Sequence, residues 1–377
     1  MKLQPKRIAD LGRIVTGKTP PTHQEHNFGG DYMFVTPSDL NFKHYRCQQT
    51  ERTVTDEAKS ELPNQFIPAS SVMFTCIGAT IGKCGIAVDE CLTNQQINSV
   101  IANDETDSTF LYYLLCHSVD IVKALGGGAA TPIVSKSKFE EVQLLVPPLR
   151  EQKAIASFLA AYDDLIENNH RRIALLEDAA KHLYREWFVY LLFPGYEHTA
   201  TTNGVPDGWR QTQLGQMLTL KRGHDLPSAE RVDGEIPIVS SSGITGFHNE
   251  KKATAPGVVT GRYGTIGEVY YVQQDYWPLN TALYVCDFKG NPPAYVAHLL
   301  KHVLAGTQSD KAAVPGVNRN VLHRIPILAP TKRLIDQFAE FAQSTYQKIY
   351  VLDTMNQKLS SARDLLLPRL MSGEIAV

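Results

Sequence analysis

The chain lacks net charge of either sign. Its 377 residues hold 37 Lys and Arg against 39 Asp and Glu, a formal charge of −2. That balance excludes a polycation that coats nucleic acid unaided. The halves are nearly as even: residues 1–147 hold 13 basic and 16 acidic side chains, and residues 205–330 hold 12 and 10. Tight binding to a nucleic acid would need local patches, partner subunits, or both. No stretch reaches the ~20 uncharged apolar residues that cross a bilayer. The basic start, Met1 to Arg7, is followed by no apolar h-region, so no signal peptide and no membrane partner are expected, and the cytoplasm is the expected compartment.

Catalytic and metal signatures are also missing. The six cysteines, at 47, 76, 84, 91, 116 and 286, form no C-x-x-C pair. Cys76 and Cys84 read either as a redox or metal pair or as small core hydrophobes. The 12 histidines make no metal-ligand spacing. Gly78 to Cys84 resembles a P-loop but is one residue short between its glycines, and Cys follows its Lys83. Asn291-Pro292-Pro293-Ala294 places Ala where an adenine methyltransferase has an aromatic ring. Glu57-Ala58-Lys59 and Glu250-Lys251-Lys252 fit a nuclease Glu-x-Lys, a pattern too common to weigh. A non-catalytic chain with no cofactor or metal of its own is expected.

What is present is a repeat. Thr75 to Lys83 corresponds to Thr260 to Glu268, both containing Thr-Ile-Gly, at an offset of 185 residues. Leu92-Thr93-Asn94-Gln95 is followed in the second half by Leu279-Asn280-Thr281. Two apolar stretches that run into proline, Val142 to Pro147 and Ile325 to Pro330, are offset by 183. A unit of about 180 residues is too long for a solenoid repeat, so each copy is expected to fold as a domain plus a helix. Short Val-, Ile-, Phe- and Tyr-rich runs bounded by Gly and Pro predict mixed domains at 1–147 and 205–330. The Thr-Ile-Gly steps read first as hairpin turns with glycine at positive φ.

Each domain is followed by a heptad seam. The first runs Ile155, Leu159, Tyr162, Ile166, Asn169, Ile173, Leu176, Ala180, Leu183, Trp187; the second runs Phe338, Ala342, Thr345, Ile349, Leu352, Asn356, Leu359, Arg363, Leu366, Leu370. Steps alternating four and three over this length predict two coiled-coil helices, at 148–193 and 331–370. A helix of ~40 residues is about 60 Å long and cannot hide such a stripe in a small domain. The two are therefore expected to pair within the chain as an antiparallel coiled coil with pseudo-twofold symmetry, in an α+β molecule. Asn169 and Asn356 either fix the register or sit at the seam edge. Trp187, Phe188 and Leu191 exceed what one seam needs. They read either as a docking surface for a partner subunit or as contacts with the chain's own second domain.

The run Pro147-Pro148-Leu149-Arg150-Glu151-Gln152-Lys153-Ala154-Ile155 at a helix start resembles the specificity subunits of type I restriction-modification systems. So does the ending Leu365-Leu366-Leu367-Pro368-Arg369-Leu370-Met371-Ser372-Gly373-Glu374-Ile375, together with Asn94-Gln95-Gln96 and the two Thr-Ile-Gly turns. The resemblance covers essentially the whole chain. The second helix start, Pro330-Thr331-Lys332-Arg333-Leu334-Ile335-Asp336-Gln337, departs from the Pro-Pro-Leu-x-Glu-Gln form. The resemblance implies that each domain reads one half of a split, asymmetric double-stranded DNA target. It implies helices that set the spacing and dock two methyltransferase subunits, which methylate adenine with S-adenosylmethionine. It implies restriction subunits that bring ATP- and Mg-dependent translocation and cleavage. A coiled-coil scaffold that reads no DNA and a stand-alone DNA-modifying enzyme are the alternatives.

Polar and basic residues near the expected loops are the candidate DNA contacts. In the first domain they are Lys18, Thr19, Lys43, Arg46, Thr80, Lys83, Lys136 and Lys138. In the second they are Lys221, Arg222, Ser241, Lys251, Lys252, Arg262, Tyr263, Lys311, Asn318 and Arg319. A solvated surface charge is the competing reading for each.

Overall fold

The computed structural model describes residues 2–40, 45–127, 131–262, 267–309 and 318–375. Lys43, Tyr263 and Lys311 lie outside them. The chain divides into two compact units, Met1–His170 with Thr354–Val377, and Arg171–Asp353. Two helices of 40 residues, Leu149–Phe188 and Lys332–Met371, each contribute to both units.

The first unit is built on a five-stranded sheet ordered Gly12–Thr16, Ile97–Ala102, Val72–Thr75, Cys84–Ala87, Arg46–Cys47. The strand Val72–Thr75 is buried at all four positions, because both faces of the sheet are covered. Val72 and Phe74 face the cluster of Phe110 to Leu115 from the helix Ser108–His117. Met73 joins Val15, Val35 and Ile97 on the other side, next to a second sheet ordered Arg52–Val54, Phe28–Val35, Cys91–Thr93, Phe66–Ile67. Strand alternation thus feeds two cores with one β-strand. Ile155, Leu159, Leu370 and Met371 of the long helices complete the first cluster.

The second unit repeats this order. Its main sheet runs Thr219–Arg222, Ala282–Asp287, Gly257–Gly261, Val269–Val272, and its second runs Gly243–His248, Ile236–Ser240, Trp277–Pro278. Val258 faces the helix Pro293–Ser309, and Val259 faces Val239 and Tyr276. The strands Cys84–Ala87 and Ile97–Ala102 recur at an offset of 185, and the long helices at 183. Gly78, Gly82 and Gly267 have the expected positive φ, of 72°, 99° and 102°; residues 263–266 of the second turn lie outside the described residues.

Helix starts explain the motif at Gln152. Its side chain is buried, accepts from Asp107 N at 2.9 Å and donates to Pro147 O at 3.0 Å. It thereby ties the N-cap residue of the helix Ser108–His117 to the carbonyl just ahead of its own helix. The corresponding residue in the second helix is Ile335, which fills the second core. The departure from Glu-Gln exchanges hydrogen bonds for apolar packing.

The cysteines resolve toward packing. Cys76 and Cys84 are buried free thiols in the first core, and burial pushes the Cys76 thiol up to about 11. Among the described residues no cluster of metal-ligating side chains occurs, and no helix is long and apolar enough to cross a membrane.

Of the two readings of Trp187, Phe188 and Leu191, the structure shows contacts within the chain's own second unit. Trp187 and Phe188 pack into the second unit's own core beside Phe338, with ring centroids 6.3 and 5.3 Å away. Leu191 joins Phe193, Trp209 and Leu334. These half-buried side chains stabilise their own unit, while Tyr190 and Leu192 beside them are exposed.

Candidate nucleic-acid interface

In the first sheet, Thr16, Asn98, Ile97, Thr75, Phe74 and Cys84 mark one end through their pairings. The segments leaving that end are 17–20, 94–96 and 76–83. Backbone bonds tie them together: Lys18 N to Thr93 O at 2.9 Å, Cys76 N to Gln96 O at 2.7 Å and Gly78 N to Pro132 O at 2.9 Å. Thr19 Oγ1 donates to Gln95 Oε1 at 2.7 Å. Gly17 is required here, since a Cβ would stand 2.3 Å from the carbonyl oxygens of Thr93 and Asn94.

The second unit builds the same end from different letters. Arg222, Leu283, Thr260 and Val269 pair across it. Gly223 replaces Gly17, with a Cβ position 2.1 Å from Leu279 O. His224 N donates to Pro278 O at 2.7 Å, Asn280 N to His224 O at 3.0 Å and Arg262 N to Thr281 O at 3.1 Å. Arg222 Nε donates to Asn280 O at 3.3 Å, and Ser241 N to Thr281 Oγ1 at 3.4 Å. Burial first, and then the charges of Lys221 and Lys252, lower the His224 pKa, so this ring is biased to the neutral form that can both donate and accept.

The structure therefore gathers Lys18, Thr19, Thr80 and Lys83 at one sheet end, and Lys221, Arg222, Ser241 and Arg262 at the other unit's matching end. Lys83 Nζ donates to Pro37 O at 2.6 Å, and Thr80 Oγ1 to Ile77 O at 3.0 Å, so both are partly committed. Other candidates sit elsewhere. Arg46 Nη1 lies 2.5 Å from Asp164 Oδ1 on the long helix. Lys136 and Lys138 belong to the helix Lys136–Glu140, with Lys136 3.6 Å from Glu140. Lys251 and Lys252 precede the strand Gly257–Gly261 in the chain, but the Lys252 ammonium reaches back toward His224, whose pKa it helps to lower. Lys251 is 2.6 Å from Asp275, and Lys252 lies over Trp277 at 4.7 Å. Asn318 caps the helix Arg319–His323, and Arg319 is exposed on it.

Gln95, His224 and Asn280 were not among the sequence candidates. The repeat pointed near them, since at the offset of 185 Gln95 corresponds to Asn280. Amides and guanidinium groups at one sheet end are the side-chain types that read base edges in a major groove.

Residues 2–178 match the family model for the type I restriction modification DNA specificity domain. The type I restriction enzyme MjaIX specificity subunit of Methanocaldococcus jannaschii is 26% identical over 405 aligned residues, covering 99% of this chain and 93% of the relative. Residues 2–178 thus carry the match to a type I DNA specificity domain, and over nearly its whole length the chain is similar to a type I specificity subunit. The HindI specificity subunit of Haemophilus influenzae is 30% identical over 182 residues, which covers 46% of this chain and 39% of that one. The solved S subunit of a type I restriction-modification system from M. genitalium superposes with a TM-score of 0.64 at 17% identity, covering 98% of this chain and 96% of that one. That likeness supports the mixed α+β fold with its long helices. The matched domain is described as one of DNA specificity, which supports sequence recognition by residues 2–178.

Proposed function

We propose that the two sheet ends each read one part of a two-part, asymmetric DNA target, and that the long helices set the distance between the parts. The observation that carries this reading is one strand order with unlike residues at the matching end: Lys18, Thr19 and Gln95 in one unit, and Arg222, His224 and Asn280 in the other. Identical ends would read a palindrome. Antiparallel pairing of the helices, with pseudo-twofold symmetry, is supported by residue order inside the first unit. Ile155 shares a cluster with Leu370, while Asn169 bonds Asn356, so one index rises as the other falls. The chain has no basic excess, and partner subunits supply the remaining grip on the phosphates.

In this reading two methyltransferase subunits dock on the helices and methylate adenine with S-adenosylmethionine. Restriction subunits join them and bring the ATP- and Mg-dependent steps. The test is methyladenine sequencing of a host with and without this gene. Loss of one two-part motif with unlike halves is the expected result. A methylome unchanged by the deletion, in a host that expresses the partner subunits, rejects the reading.

A further inference from the structure

The two long helices start and end 183 residues apart, so each position of one has a counterpart in the other. Inside the first unit they meet through polar groups. Asp163 is buried and forms an ion pair with Arg363, whose other guanidinium nitrogen lies 2.7 Å from Asp364. Tyr113 OH donates to the second oxygen of Asp163. Asn169, fully buried, donates through Nδ2 to Asn356 Oδ1 at 2.8 Å. Asn169 Oδ1 and Asn356 Nδ2 are left without a hydrogen-bond partner. Such contacts are poor sources of stability, because burying charge and leaving amides unpaired is costly. Their best-attested use is to choose between pairings.

The counterparts in the second unit are apolar or aromatic. Position 163 corresponds to Tyr346, 169 to Leu352, 356 to Ile173 and 363 to Ala180. Tyr346 stacks on Tyr271 at 4.1 Å and hydrogen-bonds His298. If a first helix met a second copy of itself in the same register, Asp163 would face Ala180 and Asn169 would face Ile173. If a second helix met its own copy, Arg363 would face Tyr346 and Asn356 would face Leu352. Either exchange buries unpaired charge. The helix ends add a steric difference. Leu370 and Met371 fill the first core, and their counterparts Trp187 and Phe188 fill the second. An exchanged pair would push two large aromatic side chains into seats built for two aliphatic ones.

We propose that Asp163–Arg363, Asn169–Asn356 and these unequal helix ends form a pairing code. Through it each long helix selects the other helix of its own chain and rejects a second copy of itself. The code guarantees one reading domain of each kind per particle, and in that sense rests on the function proposed above. It turns a duplicated architecture, which would permit assembly from two like halves, into one committed to unlike halves.

The test uses the full chain. One variant removes the polar code: Y113F/D163L/N169I/N356I/R363L, in which Tyr113→Phe deletes the hydroxyl that would lose its acceptor. The expected result is at least a tenfold rise in a two-chain particle by light scattering at fixed concentration. With the partner subunits, methyladenine sequencing should show new motifs whose two parts repeat one half-site. A second arm coexpresses D163R and R363D chains. Each alone places like charges together. Exchange between them sets the new cation of the D163R chain against the new carboxylate of the R363D chain, and the native Asp163 of one chain against the native Arg363 of the other. A two-chain particle should form from the mixture and not from either variant alone. If the apolar variant stays a monomer with only the wild-type motif, or the charge variants do not combine, the code is overturned. Should the apolar variant not fold, the charge variants decide alone. A wild-type chain that imposes no two-part motif removes the proposed function, while light scattering still judges the pairing.

Discussion

Lowering the pH from 7 to 5 is expected to weaken the second unit through His298. The ring is buried, packs against Tyr184 and Phe338 with centroids 5.8 and 5.3 Å away, and its Nε2 lies 3.2 Å from the Tyr346 hydroxyl. Burial, with a smaller contribution from the Lys301 charge, pushes its pKa down from 6.5 to about 3. The unfolded chain keeps the ordinary value near 6.5 and so binds the proton first on acidification. The neutral ring's contribution is therefore complete above pH 6.5 and is lost as pH falls from there toward 3. At ~1.36 kcal/mol per pH unit, the loss by pH 5 is about 2 kcal/mol, a sizeable fraction of a domain's stability. The measurement is urea unfolding of the full chain, followed by tryptophan fluorescence. All three tryptophans, Trp187, Trp209 and Trp277, lie in the second unit, so the signal reports that unit alone. His298→Gln keeps a polar partner for Tyr346 and removes the titrating ring. The wild type should lose about 2 kcal/mol more than this variant between pH 7 and 5. Parallel loss in both proteins would refute the reasoning, and assign the acid sensitivity to other groups such as His302, whose pKa burial also lowers.

Three further outcomes are expected. Phe338→Ala, at a fully buried ring, should cost about 3–5 kcal/mol in the same fluorescence assay. Gly17→Ala and Gly223→Ala force a methyl group against backbone oxygens 2.3 and 2.1 Å away; each should cost about 2–3 kcal/mol and displace the candidate reading loops, seen as weaker DNA binding by the assembled complex. Arg262→Ala should weaken that complex's binding and, if the guanidinium meets a phosphate, lower its logarithmic salt slope by about 1; unchanged affinity and unchanged target choice would exclude Arg262 as a contact.

The long helices were legible in the sequence because their seams keep a strict spacing of four and three, and the seam residues are mostly buried or half-buried in the structure. The sheet strands were legible through the offset of 185, which held for turns and strands together. The site was legible only in part. Lys18 and Arg222 fall at sheet ends because each adjoins a glycine that must approach another backbone. Lys251 and Lys252 look alike in one dimension, yet Lys251 is held by Asp275 while Lys252 lies over Trp277, beside His224. Gln95, His224 and Asn280 reach the sheet ends only through the fold, since their neutral side chains do not stand out in one dimension from other polar residues, although a base edge is read by such groups as well as by cations. Trp187, Phe188 and Leu191 announced a contact without saying whose, since apolar side chains do not encode the identity of what covers them.

The borrowed core of the first unit has a consequence for synthesis. Its reading domain is translated first, but its main cluster includes Leu370 and Met371, which emerge hundreds of residues later. The second unit is continuous, Arg171–Asp353, and holds all its core residues before that point. At roughly 5–20 residues per second, the earlier-made domain waits many seconds with Ile155 and Leu159 uncovered. A ribosome that stops short thus releases a chain with one finished reader and one unfinished one. Such a product exposes the apolar face of its first unit and is a substrate for proteolysis.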